Sequence, residues 1–403
     1  MCPRAGKGLV TMVDLRTDLT AQLIRAGADT GDGVDALVAR AGLDEVATAL
    51  VDEVMFRCPP ATNTMPIHLS LEIEHGDRTH RSVLRVVRDE PVTLADPATV
   101  CWSHLRFRAS ALLRRLFGPP DGPRYGDFHN SFVPAPADRG ALDALFEQLD
   151  ELMHAAAQAT HTVISGCTAR SPELGELSIR YGSDKWASFH WYTPHYERHF
   201  APLRDRPVRL LEIGIGGYEA DLGGSSLKMW KRYFHRGLIY GLDLHDKSAL
   251  NESRLTALTG DQSDPRGLIE LAKRYGPFDI VIDDGSHVNE HVHTSFGVLF
   301  PYVRDGGLYV IEDLQTSYFE DFGGVPGGTA APHTSLGLVK RLVDDLHHVE
   351  YAKTTDRPPT LTQATVTGLH VYHNIAFVEK GVNGEDTLPA WMDANAWDAL
   401  GAQ

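Results

Sequence analysis

The chain has 403 residues, more than one hydrophobic core ordinarily organises, so two folding units with connecting segments are expected. Its 38 Lys plus Arg stand against 54 Asp plus Glu, a formal net charge of −16, which offers no positive footprint for a phosphate backbone and argues against nucleic acid as a partner. No run approaches the roughly 20 uncharged apolar residues that cross a bilayer, and Met1 to Val10 lacks the apolar stretch of a signal peptide, so a cytoplasmic protein with no membrane partner is expected. The four cysteines, Cys2, Cys58, Cys101 and Cys167, are widely spaced without a CxxC pair and read as buried or incidental thiols.

From Asp18 to about Val54, apolar residues such as Leu19, Leu23, Ile24, Val34, Leu37 and Val38 recur at helical spacing around a turn-rich Gly27 to Gly33, which predicts two or three short helices. Near alternation on both sides of His75-Gly76-Asp77 predicts a β-hairpin between Ile67 and Val87. A helix is expected over Trp102 to Leu116, then a Pro/Gly-rich run from Gly118 to Pro136, then a long helix from Gly140 to about Thr160. Residues 1–165 therefore read as an α+β accessory domain that carries no recognisable catalytic constellation.

Residues 166–403 have a different texture. From Val208 onward, short apolar runs alternate with amphipathic stretches, the pattern of a parallel α/β sheet with helices on both faces, a Rossmann-like architecture. Strands are expected near 208–214, 238–244, 255–260, 278–283, 307–312 and 373–379, with helices near 224–235, 265–275, 288–301 and 334–347.

The first of these strands runs into Glu212-Ile213-Gly214-Ile215-Gly216-Gly217, a glycine-rich turn at the end where doubly wound sheets bind ligands. Glycine there permits positive φ and close approach of backbone to ligand. Glu219 stands where a dinucleotide fingerprint needs its third glycine, which weakens an NAD(P)-dependent sugar oxidoreductase as the alternative. The next strand ends in Asp243, a carboxylate able to accept from a ribose diol, and Asp261-Gln262 ends the one after it.

Two further strands end in Asp283-Asp284-Gly285-Ser286-His287 and in Glu312-Asp313, which brings four carboxylates together. Mutual repulsion would raise their pKa values unless a hard divalent cation with oxygen ligands joined them. Mg²⁺ held by Asp284, Glu312 and Asp313 is the expectation, with Asp283 turned to the other side to face the cofactor or fix the loop. His287 lies close enough to act as general base on an attacking hydroxyl. A catechol-type O-methyltransferase, which also presents a vicinal diol to Mg²⁺, is the nearest mechanistic alternative.

The Glu212-x-Gly214-x-Gly216 run resembles the ExGxG loop of class I S-adenosylmethionine-dependent methyltransferases. Taken with Tyr181-Gly182-Ser183-Asp184-Lys185, His190-Trp191-Tyr192-Thr193, the DDGSH segment and Glu312-Asp313-Leu314-Gln315-Thr316-Ser317-Tyr318, the chain resembles the macrocin-type O-methyltransferases, metal-dependent enzymes that finish deoxysugars on macrolides. The resemblance implies S-adenosylmethionine and Mg²⁺ as cofactors, Asp284, Glu312 and Asp313 as metal ligands, His287 as base, and Ser183, Asp184 and Lys185 at the cofactor beside Glu212, Gly214, Gly216, Asp243, Asp261, Gln262 and Asp283. The long amino-terminal extension is similar to that of the group methylating the 2''-hydroxyl of a macrolide-linked 6-deoxyallose. It implies a macrolide glycoside substrate and a homotetramer whose neighbouring subunits help to enclose the site. Phe322 to Gly328, glycine-rich and just beyond the metal ligands, reads either as a mobile lid or as an ordinary surface loop.

Overall fold

A computed structural model of the chain describes residues 19–28, 33–119, 128–132, 142–168, 170–186, 189–217, 221–352 and 357–384. Met1 to Val10 and most of the Pro/Gly-rich run from Gly118 to Pro136 lie outside these residues. Three helices open the described chain, α1 (19–28), α2 (Gly33–Ala41) and α3 (Leu43–Arg57), and the apolar stripe Leu19, Leu23, Ile24, Val34, Leu37 and Val38 is buried as its spacing implies.

Strands β1 (Ile67–His75) and β2 (Arg78–Val86) form the expected hairpin, paired from Ile67↔Val86 to His75↔Arg78 around Gly76 at φ 58°. The helix expected over Trp102 to Leu116 is corrected. Its first half is strand β4 (Ser103–Arg108), parallel to β1, and α4 begins only at Ala109 (Ala109–Phe117). The reason is a period of two that a helical reading obscured: Ser103, Leu105 and Phe107 are buried, whereas Arg106 and Arg108 face out, Arg106 onto Glu72 and Glu74. With β3 (Thr93–Leu94) and β5 (Phe128–Phe132), these strands make a five-stranded sheet of order β3-β2-β1-β4-β5. The long helix α5 (Leu142–Gly166) packs on it, with Thr160 hydrogen-bonded at 2.7 Å to Ser103.

The second sheet has seven strands in the order β11-β12-β10-β9-β6-β7-β8. Strands β6 (Arg209–Ile213), β7 (Leu238–Asp243), β8 (Leu255–Thr259), β9 (Phe278–Asp283) and β10 (Val303–Ile311) are parallel. The single strand expected near 373–379 is half of an antiparallel hairpin, β11 (Val366–Tyr372) and β12 (Ile375–Lys380). Edge strand β11 is only partly buried, so its sequence carries no long apolar run.

Alternate residues face opposite cores. Leu211, Ile213, Val281, Tyr309 and Ile311 meet α9 (Pro265–Tyr275), α10 (Asn289–Leu299) and α11 (Ser335–Leu346), in a core continuous with that of the amino-terminal sheet. Leu210, Ile280, Ile282, Leu308 and Val310 meet α6 (Leu174–Tyr181), α7 (Thr193–Phe200) and α8 (Ser225–Tyr233). Short helices α12 (His348–Ala352) and α13 (Leu361–Thr365) precede the hairpin. The strand order reverses between β6 and its neighbours β9 and β7, so a crevice opens at their carboxyl ends. The molecule is a doubly wound α/β sheet with an antiparallel hairpin at one edge, preceded by an α+β amino-terminal region.

A buried ion network joins the two parts. Glu53 on α3 accepts from Arg57 at 2.6 Å and from both Arg254 Nε, at 2.9 Å, and Arg254 Nη2, with all three side chains fully buried. Arg254 further donates to the carbonyls of Lys231, Phe234 and Gly237, and Arg57 to those of Leu116, Thr168 and His235. Burial alone would raise the Glu53 carboxyl, but the Arg254 and Arg57 guanidiniums hold it well below the usual range. Its stabilising contribution is therefore complete above the ordinary glutamate range, about pH 4–5, and is lost as the pH falls below it. Glu53→Gln leaves two buried guanidiniums without their anion, and urea unfolding is expected to show a loss of about 3–5 kcal/mol; a loss under 1 kcal/mol would remove the network as the tie between the sheets.

Candidate functional site

The site grows from the carboxyl ends of β6, β9 and β10. Gly214, at φ 91°, ends β6 so close to the loop after β9 that a Cβ there would sit 2.0 Å from the Asp284 carbonyl oxygen. Gly216, at φ 74°, faces open space, so the backbone turns with nothing between it and a ligand. Asp243 ties this loop to the end of β7, accepting from the Ile215 amide at 3.0 Å and the His245 amide at 2.9 Å.

Glu212 is fully buried and accepts from Ser226 at 2.8 Å and Trp230 at 3.2 Å; burial pushes its carboxyl up to about 7. Asp283 turns away from Asp284, as strand alternation requires, and takes Ser295, Gln262 at 2.6 Å and Tyr309 at 3.3 Å. Gln262 also accepts from the Ser286 amide at 3.0 Å, so Asp283 and Gln262 lock the DDGSH loop onto α10. Asp261, at the rim, accepts from the Ser263 amide and hydroxyl. His291 and His293 bond to Ser286 and to the Thr334 carbonyl.

Gly182, left-handed at φ 72°, ends α6 and starts the loop that carries Ser183, Asp184 and Lys185. Ser183 is buried and Asp184 exposed, while the Asp184 and Lys185 carbonyls accept from the amides of His190 and Tyr192. This folding-back drives the Lys185 side chain into the acidic cluster. Its ammonium lies 2.6 Å from Asp284 Oδ2, 2.7 Å from Glu312 Oε1 and 3.4 Å from Glu212 Oε1. Burial would lower the lysine, but these carboxylates hold it well above its usual value. The resemblance implies a place for Lys185 at the cofactor; the carboxylates its ammonium meets here are those of the chain itself.

Two triads share Asp284: Asp284 with His287 and Asp313, and Asp284 with Glu212 and Glu312, each with donor atoms within 4.8 Å of one another. Glu312 accepts from Lys185 and from the Tyr196 hydroxyl, and Asp313 from the Tyr192 hydroxyl at 2.7 Å. Both His287 (φ 56°) and Asp313 (φ 52°) adopt the left-handed backbone, a costly conformation for such residues, and it sets His287 Nε2 3.4 Å from Asp313 Oδ2. Burial drives the Asp284 and Glu312 carboxyls up, and for Glu312 the nearby Asp284 adds to it. One lysine does not neutralise this cluster, and a hard divalent cation on its oxygens fits the charge and the donor chemistry. Sequence reasoning gave no site role to Tyr192, Tyr196 or His190, the last with its Nε2 3.7 Å from Asp313. Tyr192 and Tyr196 are four residues apart at the start of α7, a helical spacing that aims both hydroxyls at one site. In the glycine-rich segment, the amides of Gly324 and Val325 bond to the carbonyls of Phe319 and Ser317, which pins its first half to the preceding turn.

Residues 20–124 match the family described as MycE methyltransferase N-terminal. The chain is 48% identical over 392 residues to demethylmacrocin O-methyltransferase of Streptomyces fradiae, covering 96% of this chain and 97% of that one. To mycinamicin VI 2''-O-methyltransferase of Micromonospora griseorubida it is 47% identical over 350 residues, 86% of this chain and 87% of that one. The solved structure of the MycE methyltransferase of the mycinamycin pathway, in complex with Mg, S-adenosylhomocysteine (SAH) and mycinamycin VI, superposes with a TM-score of 0.87 at 42% identity, covering 96% of this chain and 98% of that one. Fold and glycine loop thus define a class I S-adenosylmethionine-dependent O-methyltransferase. The chain belongs to the macrolide sugar O-methyltransferase family.

Gly214→Ala tests the loop. With a backbone oxygen in the way and φ positive, the variant is expected to lose at least 10-fold in affinity for S-adenosylhomocysteine by calorimetry. Unchanged affinity and unchanged melting temperature would show that the β6 and β9 loops need not touch.

Proposed function

We propose that this chain moves the methyl group of S-adenosylmethionine to a deoxysugar hydroxyl of a macrolide glycoside, the 2''-hydroxyl of a 6-deoxyallose, with His287 as general base. The enzyme is an S-adenosylmethionine- and Mg²⁺-dependent sugar O-methyltransferase. The observation that carries the residue assignment is the contact between the two halves of the site: Gly214 of the cofactor loop lies against the Asp284 carbonyl, beneath a carboxylate cluster whose rim holds His287.

Asp284, Glu312 and Asp313 are the residues that hold the ion, and Glu212, Gly214, Gly216, Asp243, Ser183, Asp184, Lys185, Asp261, Gln262 and Asp283 shape the cofactor side. Mg²⁺ bound there supplies Lewis-acid polarisation that makes a sugar hydroxyl more acidic, and S-adenosylmethionine supplies the electrophilic methyl. Lys185 and Tyr196 orient Glu312, and Tyr192 orients Asp313. His287 Nε2 takes the hydroxyl proton, and the Asp313 carboxylate 3.4 Å away stabilises the imidazolium that results. Residues 1–165 form an accessory domain in front of the methyltransferase domain, 166–403, and a homotetramer encloses the site, where Phe189 and Trp191 are 75% and 63% exposed in the single chain. No helix among the described residues is long and apolar enough to cross a membrane.

With a 2''-desmethyl macrolide, His287→Ala is expected to lower kcat by about 10²–10⁴-fold while S-adenosylhomocysteine affinity is kept; a near-normal kcat would assign the proton elsewhere. Asp284→Asn should shift the Mg²⁺ concentration for half-maximal activity upward by at least about 10-fold, and an unchanged requirement would move the ion away from this cluster.

A further inference from the structure

Helix α7 has a second polar face. Tyr196 reaches the acidic cluster, whereas His195 and His199 lie against the β11–β12 hairpin, His195 stacked on Tyr372 and His199 on Phe377 with ring centroids 3.8 and 4.4 Å apart. The His370 ring on β11 lies 4.4 Å from that of His199, and His370 Nε2 is 2.9 Å from Glu379 Oε1 on β12. One donor atom from each of His199, His370 and Glu379 lies within 4.8 Å of the other two. Gly368 keeps this arrangement open, because a Cβ there would sit 2.6 Å from Glu379 Oε2.

We propose that His199, His370 and Glu379 form a second metal site, distinct from the acidic cluster, for a borderline divalent cation such as Zn²⁺. Two imidazoles and one carboxylate suit such ions and not Mg²⁺, which prefers an all-oxygen shell. The three side chains are half-buried, so solvent completes the coordination. An ion here staples α7 to the hairpin. Both elements support the active site, since the Asn374 carbonyl in the hairpin turn accepts from the Leu314 amide at 3.1 Å and the Tyr192 hydroxyl at 3.4 Å. Stapling therefore stiffens the mounts of Glu312 and Asp313.

The test is calorimetric titration of the full chain with Zn²⁺ in excess Mg²⁺, paired with melting curves. The wild type and Asp284→Asn are expected to bind one Zn²⁺ with the same affinity and to melt at higher temperature when it is bound. His370→Gln and, separately, Glu379→Gln should weaken that site by at least 10-fold and lose the melting shift while keeping Mg²⁺-dependent methyl transfer. Absence of a Zn²⁺ site in the wild type, undiminished wild-type Zn²⁺ affinity in both hairpin variants, or a site abolished by Asp284→Asn would each overturn the proposal.

Discussion

Four carboxylates crowd onto the ends of three strands, and the chain provides one buried ammonium to hold them. Taking a charge out of water costs several kcal/mol per ion unless partners repay it. Glu212, Asp284 and Glu312 share Lys185, while tyrosine hydroxyls and Ser226 and Trp230 occupy other lone pairs. Much of the surrounding architecture serves that arrangement. The loop from Gly182 to Thr193 must fold back to deliver Lys185, α7 must start where Tyr192 and Tyr196 point inward, and His287 and Asp313 must accept left-handed backbones. The residual negative charge and the oxygen donors fit a divalent cation.

A second buried ion group, Glu53 with Arg57 and Arg254, serves assembly rather than chemistry. Arg254 sits in the turn before β8 and caps three carbonyls around the end of α8, so the amino-terminal helices are bonded to the same backbone that supports the methyltransferase sheet. The core beneath that sheet runs on into the amino-terminal strands without a gap. The amino-terminal region thus packs as part of one structure with the site-bearing sheet.

Elements with a strong hydrophobic period were legible. The β1–β2 hairpin, strands β6 to β10 and helices α8 to α11 stand close to where alternation and caps place them. Strands β4, β5 and β11 were not. In β4 the apolar residues at 105, 107, 112, 113 and 116 mix two periods across one boundary, and a strand that runs directly into a helix leaves no turn signal to divide them. Strands β5 and β11 lie at sheet edges, where half-exposed residues blur the pattern.

By itself the sequence determined the glycine-rich loop at the end of β6, the acidic strand ends and the base candidate, because each is a local run in which residue type and spacing carry the signal. Family membership was equally readable from those runs together. Only the tertiary structure decided who neutralises whom: Lys185 and Glu312 are 127 residues apart, as their hydrogen bond records, and Tyr196 is 116 residues from the same carboxylate. Such pairings depend on where strand order reverses and on how the α6–α7 loop folds back, and no local pattern encodes either. The same holds for His199, His370 and Glu379, which become neighbours only when a helix of one core face packs on a hairpin at the sheet's edge.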